Sequence, residues 1–184
     1  MDTNKNLFWN KAMFWGFITA LASMLVTTVY YSTDSMESKS QSWVNFAILA
    51  IGIIVCTLMY RQTLGEKDEF PYSKALGLGV TTIFFASLIL AVFTFVLYKY
   101  IDPDLVSKSL SASEQKLLDK GYTEDMVEQQ LEMTRKFMTP AVMSIFSIFG
   151  NVIIGLVISL ITSIFLRKKA ADGFEAAMSE IEED

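Results

Sequence analysis

Apolar and polar positions segregate into long blocks along this chain. Uncharged, mostly apolar runs cover about residues 12–31, 43–60, 75–98 and 141–166, and every charged residue lies between or beyond them. A helix needs roughly 20 apolar residues to cross about 30 Å of hydrocarbon, so each run predicts one membrane-spanning helix. The last two runs exceed that minimum and are expected to tilt or protrude. The expected fold class is all-α: an integral membrane four-helix bundle, one domain over 1–184, with a short helical segment between the third and fourth spans. The interfacial aromatics agree with this division. Trp9, Trp15 and Trp43 lie near span ends, as do Tyr30, Tyr31, Tyr60, Tyr72, Tyr98 and Tyr100, where amphipathic rings meet the headgroups. Lys5, Lys11 and Ala20-Leu21-Ala22 imitate a signal peptide, but the apolar run continues to Tyr31, longer than a signal core, and is read as a span.

The connections differ in character. Residues 32–42 form a short serine-rich link, and 61–74 a charged link containing Gly65 and Pro71. The segment 101–139 is long enough to hold structure outside the membrane. Asp102-Pro103-Asp104 ends the third span, because proline lacks a backbone donor and restricts the residue before it. Ser111 and Glu114 have the spacing of a capping box, which predicts a short helix from Ser111 to Lys120, closed by Gly121. Thr123 is the expected N-cap of a second helix, with Glu124 and Asp125 in its first turn. Val127, Leu131, Thr134 and Met138 form one stripe of that helix, and Met126, Met133 and Phe137 the adjacent one. Thr139-Pro140 starts the fourth span with proline at the first helical position. Residues 167–184 form a charged tail in which Phe174, Met178 and Ile181 have helical spacing.

Composition narrows the chemistry. Charged residues are 19% of the chain, below the roughly 25% of soluble domains, so the charge is kept out of a low-dielectric environment. A net charge of -5 opposes nucleic-acid binding, which needs a dense basic surface. The single cysteine, Cys56, allows no disulfide framework. With no histidine, His-based general-base catalysis and the common zinc and haem ligand sets are excluded. No catalytic residue, cofactor or metal site is assigned, and the chain is expected not to be an enzyme.

Lys and Arg favour the cytoplasmic side, and four spans place both termini together. The basic residues divide almost evenly between the two sides, but Arg167-Lys168-Lys169 directly follows the fourth span and Arg61 the second. Both termini are therefore expected in the cytoplasm.

Several short motifs run through the chain: Tyr60-Arg61 closing the second span, Phe70, Ala75-Leu76-Gly77-Leu78-Gly79 opening the third, Tyr100-Ile101-Asp102-Pro103 after it, and Arg167-Lys168-Lys169. In these the sequence resembles the bacterial membrane family catalogued as domain of unknown function 4199. The resemblance covers nearly the whole chain. It implies four helices in a bacterial inner membrane and supplies no substrate, cofactor or catalytic residue.

Candidate functional residues are few. Ser147, Asn151, Gly155, Ser159 and Ser163 repeat every four positions in the fourth span. Small residues let helices approach closely and Asn or Ser can hydrogen-bond across the contact, so the stripe is read as helix packing, with a ligand or ion path as the alternative. Gly16, Ala20, Ser23 and Thr27 make a similar face on the first span, and Ala75, Gly79, Thr82 and Ala86 on the third. Met126, Met133 and Phe137 are read as covering the bundle, with a partner surface or the membrane surface as alternatives. Asp102 and Asp104 are too few for a divalent-cation site. Because the spans hold no ionisable residue, the usual mark of a transport path, the leading expectation is a non-enzymatic subunit or scaffold. It would act through protein or lipid contacts, as a homo-oligomer or with another membrane protein. A small channel or permease component is the second reading, and a membrane enzyme acting on lipid the third.

Overall fold

The structure is a computed structural model that describes residues 2–33, 35, 39–64 and 69–166. The tail 167–184, with the Arg167-Lys168-Lys169 cluster behind the topology expectation, lies outside the described residues, as does Gly65. The chain is all-α. Its helices are α1 (Asp2–Ser32), α2 (Lys39–Gln62), α3 (Tyr72–Val96), α4 (Leu105–Asp119), α5 (Glu124–Phe137) and α6 (Pro140–Leu166). Four segments are long and apolar enough to cross a membrane: Asn6–Ser32 in α1, Ser40–Gln62 in α2, Tyr72–Ile101 in α3 and the turn that follows it, and Pro140–Leu166 in α6. A bare four-helix bundle is therefore only part of the architecture, because α4 and α5 form a helical hairpin between the third and fourth spans.

α3 is the hub of the bundle. It packs most extensively against α6, then against α1 and α2, and α2 in turn touches α1 and α6, so α1 and α6 flank the α2–α3 pair. The buried positions fall into two layers. At the end where α1 begins and α6 finishes, Ala12, Cys56, Tyr60, Phe70, Ala75 and Leu78 pack together. In the middle, Leu49, Ile53, Ile83 and Ile158 form the second layer. The outward faces stay apolar: Leu25, Ile51, Val92, Phe149, Ile153 and Phe165 are all exposed. Such faces suit lipid, where an exposed leucine or phenylalanine costs nothing.

The third span ends where the sequence indicates, but with a change of winding. A π-helical turn, Leu97–Ile101, follows α3, and the Asp102 amide donates to the Leu97 carbonyl at 2.9 Å. Asp102 then leaves helical geometry, at φ -143° and ψ 86°, before Pro103. Lys99 lies against the rings of Phe95 and Tyr100, 5.0 and 5.4 Å from their centroids, a cation–π arrangement suited to the interface.

The hairpin corrects the capping-box expectation. α4 begins at Leu105, and Ser111 lies well inside it. The Asp104 amide donates to Asp102 Oδ1 at 3.0 Å, and Leu105 N to the Asp102 carbonyl at 3.2 Å. That Asx turn starts the helix earlier, and nothing in Val106 to Leu110 breaks it. Gly121, at φ 86°, closes α4. Tyr122 N bonds the Leu117 carbonyl and Gly121 N the Leu118 carbonyl, the paired bonds of a Schellman motif. Thr123 occupies the N-cap of α5 with extended geometry, but its hydroxyl makes no capping bond. Glu124 and Asp125 in the first turn and Arg135 and Lys136 in the last match the helix dipole. At α6, Thr139 Oγ1 accepts from Val142 N at 3.4 Å, with Pro140 at the first helical position.

Candidate functional site

Hydroxyls inside a membrane bundle need partners, since no bulk water reaches them. Most here use the carbonyl one turn back: Thr19 to Trp15 at 2.7 Å, Thr57 to Ile53 at 2.7 Å, Thr82 to Leu78 at 2.7 Å and Ser87 to Ile83 at 2.6 Å. The Thr82 hydroxyl also lies 3.2 Å from Cys56 Sγ. Three buried polar atoms among the described residues lack any partner: Ser23 Oγ, Asn45 Oδ1 and Ser159 Oγ.

Two of these three residues line one cavity. It measures about 120 Å³ and is walled by side chains from all four spans. Its polar lining is Ser23 and Thr27 from α1, Asn45 from α2, Thr94 from α3 and Asn151 from α6. Leu49, Leu90 and Phe93 supply the apolar wall. The helices order this set by direction. α1 and α3 end, and α2 and α6 begin, on the side that carries the 1–2 connection and the α4–α5 hairpin. The cavity therefore lies in that half of the bundle. At about 1.5 Å per residue, Asn45 lies roughly 3 Å below Trp43, and Ser23 roughly 12 Å below Tyr31. Below the cavity, the layer of Leu49, Ile53, Ile83 and Ile158 closes the bundle.

The stripe on α6 divides between two environments. Ser147 is half-buried and its hydroxyl donates to the Ser144 carbonyl at 2.7 Å. Asn151 is half-buried and lines the cavity. Gly155 is buried against α3, and a Cβ there would sit 2.8 Å from Ile83 Cβ. Ser159, fully buried, faces Gly79, and Ser163 is buried near the end of the span. Only Asn151 of the five therefore joins the polar cavity. The residues it joins lie on other helices, and Asn45 and Thr94 were not among the sequence candidates. Asn45 carried a readable signal, an amide two positions inside Trp43 in an apolar run.

The face of α5 also departs from expectation. Val127 and Leu131 are buried, but Met126, Met133 and Phe137 are 59%, 68% and 62% exposed. These three do not cover the bundle. α5 turns Val127 and Leu131 toward a groove shared with Leu118 of α4, which leaves the adjacent stripe outside. Tyr122, Met126 and Met133 line a shallow depression of about 520 Å³, bordered by Gln129, Gln130, Glu132 and Lys136.

At the junction of hairpin and bundle, Asp102 Oδ2 accepts from Lys108 Nζ at 3.1 Å and from Tyr31 Oη at 3.4 Å. The Lys108 ammonium holds the Asp102 carboxyl below its ordinary range. Stabilisation from this carboxylate is present above that range and is lost as pH falls through the depressed value. These bonds occupy Asp102 as a tie between α1 and α4. No group of three metal-ligating residues occurs among the described residues.

Residues 14–168 match the model of a family described as a protein of unknown function, DUF4199. Comparison with curated proteins and with solved structures gave no match.

Proposed function

The chain belongs to the DUF4199 family, and from that membership and its four membrane-length helices we propose that it is a non-enzymatic membrane subunit that binds a protein partner through the α4–α5 hairpin. The observation that carries this reading is the exposed apolar stripe of α5. Met126, Met133 and Phe137 lie on a helix outside the spans, beside mixed-charge residues Glu132 and Lys136. Methionine side chains adapt to varied partner surfaces, and an apolar centre with a polar rim is the anatomy of a protein interface. A bilayer surface fits the stripe less well. α5 also carries Glu124, Asp125, Glu128 and Glu132 against Arg135 and Lys136, whereas helices that lie on anionic lipid are rich in Lys and Arg.

A photoreactive amino acid at Met133, activated in native membranes, should give a protein adduct of discrete mass. The same group at Ser107 on α4 should give none. Adducts to lipid alone at Met133 would overturn the reading. The channel alternative requires a hydrated path, and the packed layer of Leu49, Ile53, Ile83 and Ile158 speaks against one within a single copy. Proteoliposomes of the purified chain are expected to show ion flux no greater than empty vesicles.

The proposed location is a bacterial inner membrane with both termini in the cytoplasm. Single cysteines at Ser113 and Ser179, in a Cys56→Ser background, test this with an impermeant thiol reagent on spheroplasts. Ser113 should label and Ser179 should not. The reverse pattern would invert the topology.

A further inference from the structure

The cavity between the four spans has no part in the hairpin reading, and we propose that it is a binding site for an uncharged, glycerol-sized polyol group. Its chemistry selects the class. Ser23, Thr27, Asn45, Thr94 and Asn151 offer hydroxyls and carboxamides from four helices, and no charged side chain lines the cavity. An ion would lose its hydration there and meet no counter-charge. A neutral hydrogen-bonding group loses far less.

The orphaned atoms sharpen the class further. Ser23 is 3% exposed and its Oγ has no partner, and Asn45 Oδ1 is likewise buried and unpartnered. A carbonyl oxygen accepts only, so Asn45 Oδ1 needs a donor, whereas the serine hydroxyl can give or take. A ligand must therefore donate to Asn45 Oδ1, which a hydroxyl can do and an ester carbonyl cannot. Neighbouring hydroxyls on α1, α2 and α3 satisfy themselves on carbonyls one turn back; of the three unpartnered buried atoms among the described residues, two belong to residues that line this cavity, and the third, Ser159 Oγ, is packed against Gly79.

Size and depth narrow the group. A volume of about 120 Å³ is several times the roughly 10–15 Å³ that one water needs on the same measure, enough for a glycerol-sized head. Asn45 lies just inside Trp43, at the level of the lipid backbone, with Ser23 and Asn151 deeper. Leu49, Leu90 and Phe93 wall the remainder, and the packed layer beneath makes the cavity a dead end. The same polyol chemistry is available from free glycerol and from the free hydroxyls of a neutral monoacylglycerol.

The test uses the full chain in phosphatidylcholine nanodiscs and two probes. One is glycerol, followed by saturation-transfer NMR. The other is a diazirine-bearing monoacylglycerol, with labelled peptides mapped by mass spectrometry. At least one probe should bind saturably, and the lipid probe should mark peptides holding Asn45 or Asn151. Binding by glycerol alone assigns a free polyol, by the lipid probe alone a membrane-borne one, and by both a site that needs only the polyol group. Competition by the di-O-methyl ether of monoacylglycerol, which keeps the acceptors and loses the donors, should be at least tenfold weaker. Asn45→Leu should reduce binding at least tenfold. Ser23→Ala, which deletes one oxygen and keeps the packing, should reduce it several-fold at unchanged thermal stability. The proposal fails if neither probe binds saturably, if the ether competes equally, or if binding survives both substitutions; the cavity then holds water alone.

Discussion

Replacing Gly155 with leucine is expected to separate α6 from α3 and to destabilise the bundle by about 3 kcal/mol. Overfilling a packed core costs roughly 1–3 kcal/mol and at times more, and this site lies at the severe end. A Cβ alone at Gly155 would meet Ile83 Cβ, Cγ2 and Cγ1 at 2.8, 2.8 and 2.9 Å. Ile83 cannot yield easily, because it is fully buried in the packed layer with Leu49, Ile53 and Ile158. It also sits on α3, which every other span touches. A branched side chain therefore forces the two helices apart along their most extensive contact. Asn151→Leu, four positions away, is the natural comparison. It adds apolar atoms beside an existing cavity and should change stability by no more than about 1 kcal/mol. Unfolding titrations with SDS in mixed micelles measure both. Equal stability of Gly155→Leu and the parent chain would mean that α3 and α6 do not meet there.

That contrast shows what the sequence could reveal. The four spans were legible because transfer into hydrocarbon depends mainly on composition over about 20 residues, and the unbroken runs near 12–31 and 141–166 leave little choice. The stripe from Ser147 to Ser163 was legible as a packing feature, but not as two environments. Each step of four residues turns about 40° around an ideal helix, so its ends face different neighbours. Which neighbour meets which end depends on helices distant in sequence. Asn151 lies beside Asn45 and Ser23 in space, and no periodicity within one span encodes that meeting.

The hairpin shows the same limit at shorter range. Ser111 and Glu114 have good capping-box spacing, yet α4 starts upstream of them, at the Asx turn of Asp102. A local signal was outranked by another a few residues upstream. On α5, the amphipathic pattern marked both apolar stripes without saying which one the protein would bury. The choice fell to Val127 and Leu131, because they meet α4, and it left Met126, Met133 and Phe137 outside. Those three became the candidate partner surface through tertiary packing, a level that single-helix patterns do not reach.

Phe70→Ala is expected to be the most destabilising truncation, costing about 3–5 kcal/mol, the usual range for deleting a buried aromatic ring. Phe70 is fully buried although it precedes α3 in a connection. Its ring lies against Tyr60, with centroids 5.4 Å apart and planes tilted by 43°. Phe8 meets the same tyrosine edge-on at 6.0 Å. Ala12, Cys56, Ala75 and Leu78 complete the packing, so one side chain joins α1, α2 and α3. Small residues at 12 and 75 leave room for the ring, and they cannot refill that space once it is gone. Phe70→Leu keeps most of the volume and should cost less than about 1.5 kcal/mol. The pair also bears on function. Phe70 lies at the end of the bundle opposite the polar cavity, and the void left by its removal is apolar and should stay dry. Proteoliposomes of Phe70→Ala should therefore remain as tight to ions as those of the parent chain, despite the lost stability. A rise in ion flux on removing this ring would identify it as a gate and put the channel reading ahead of the subunit reading.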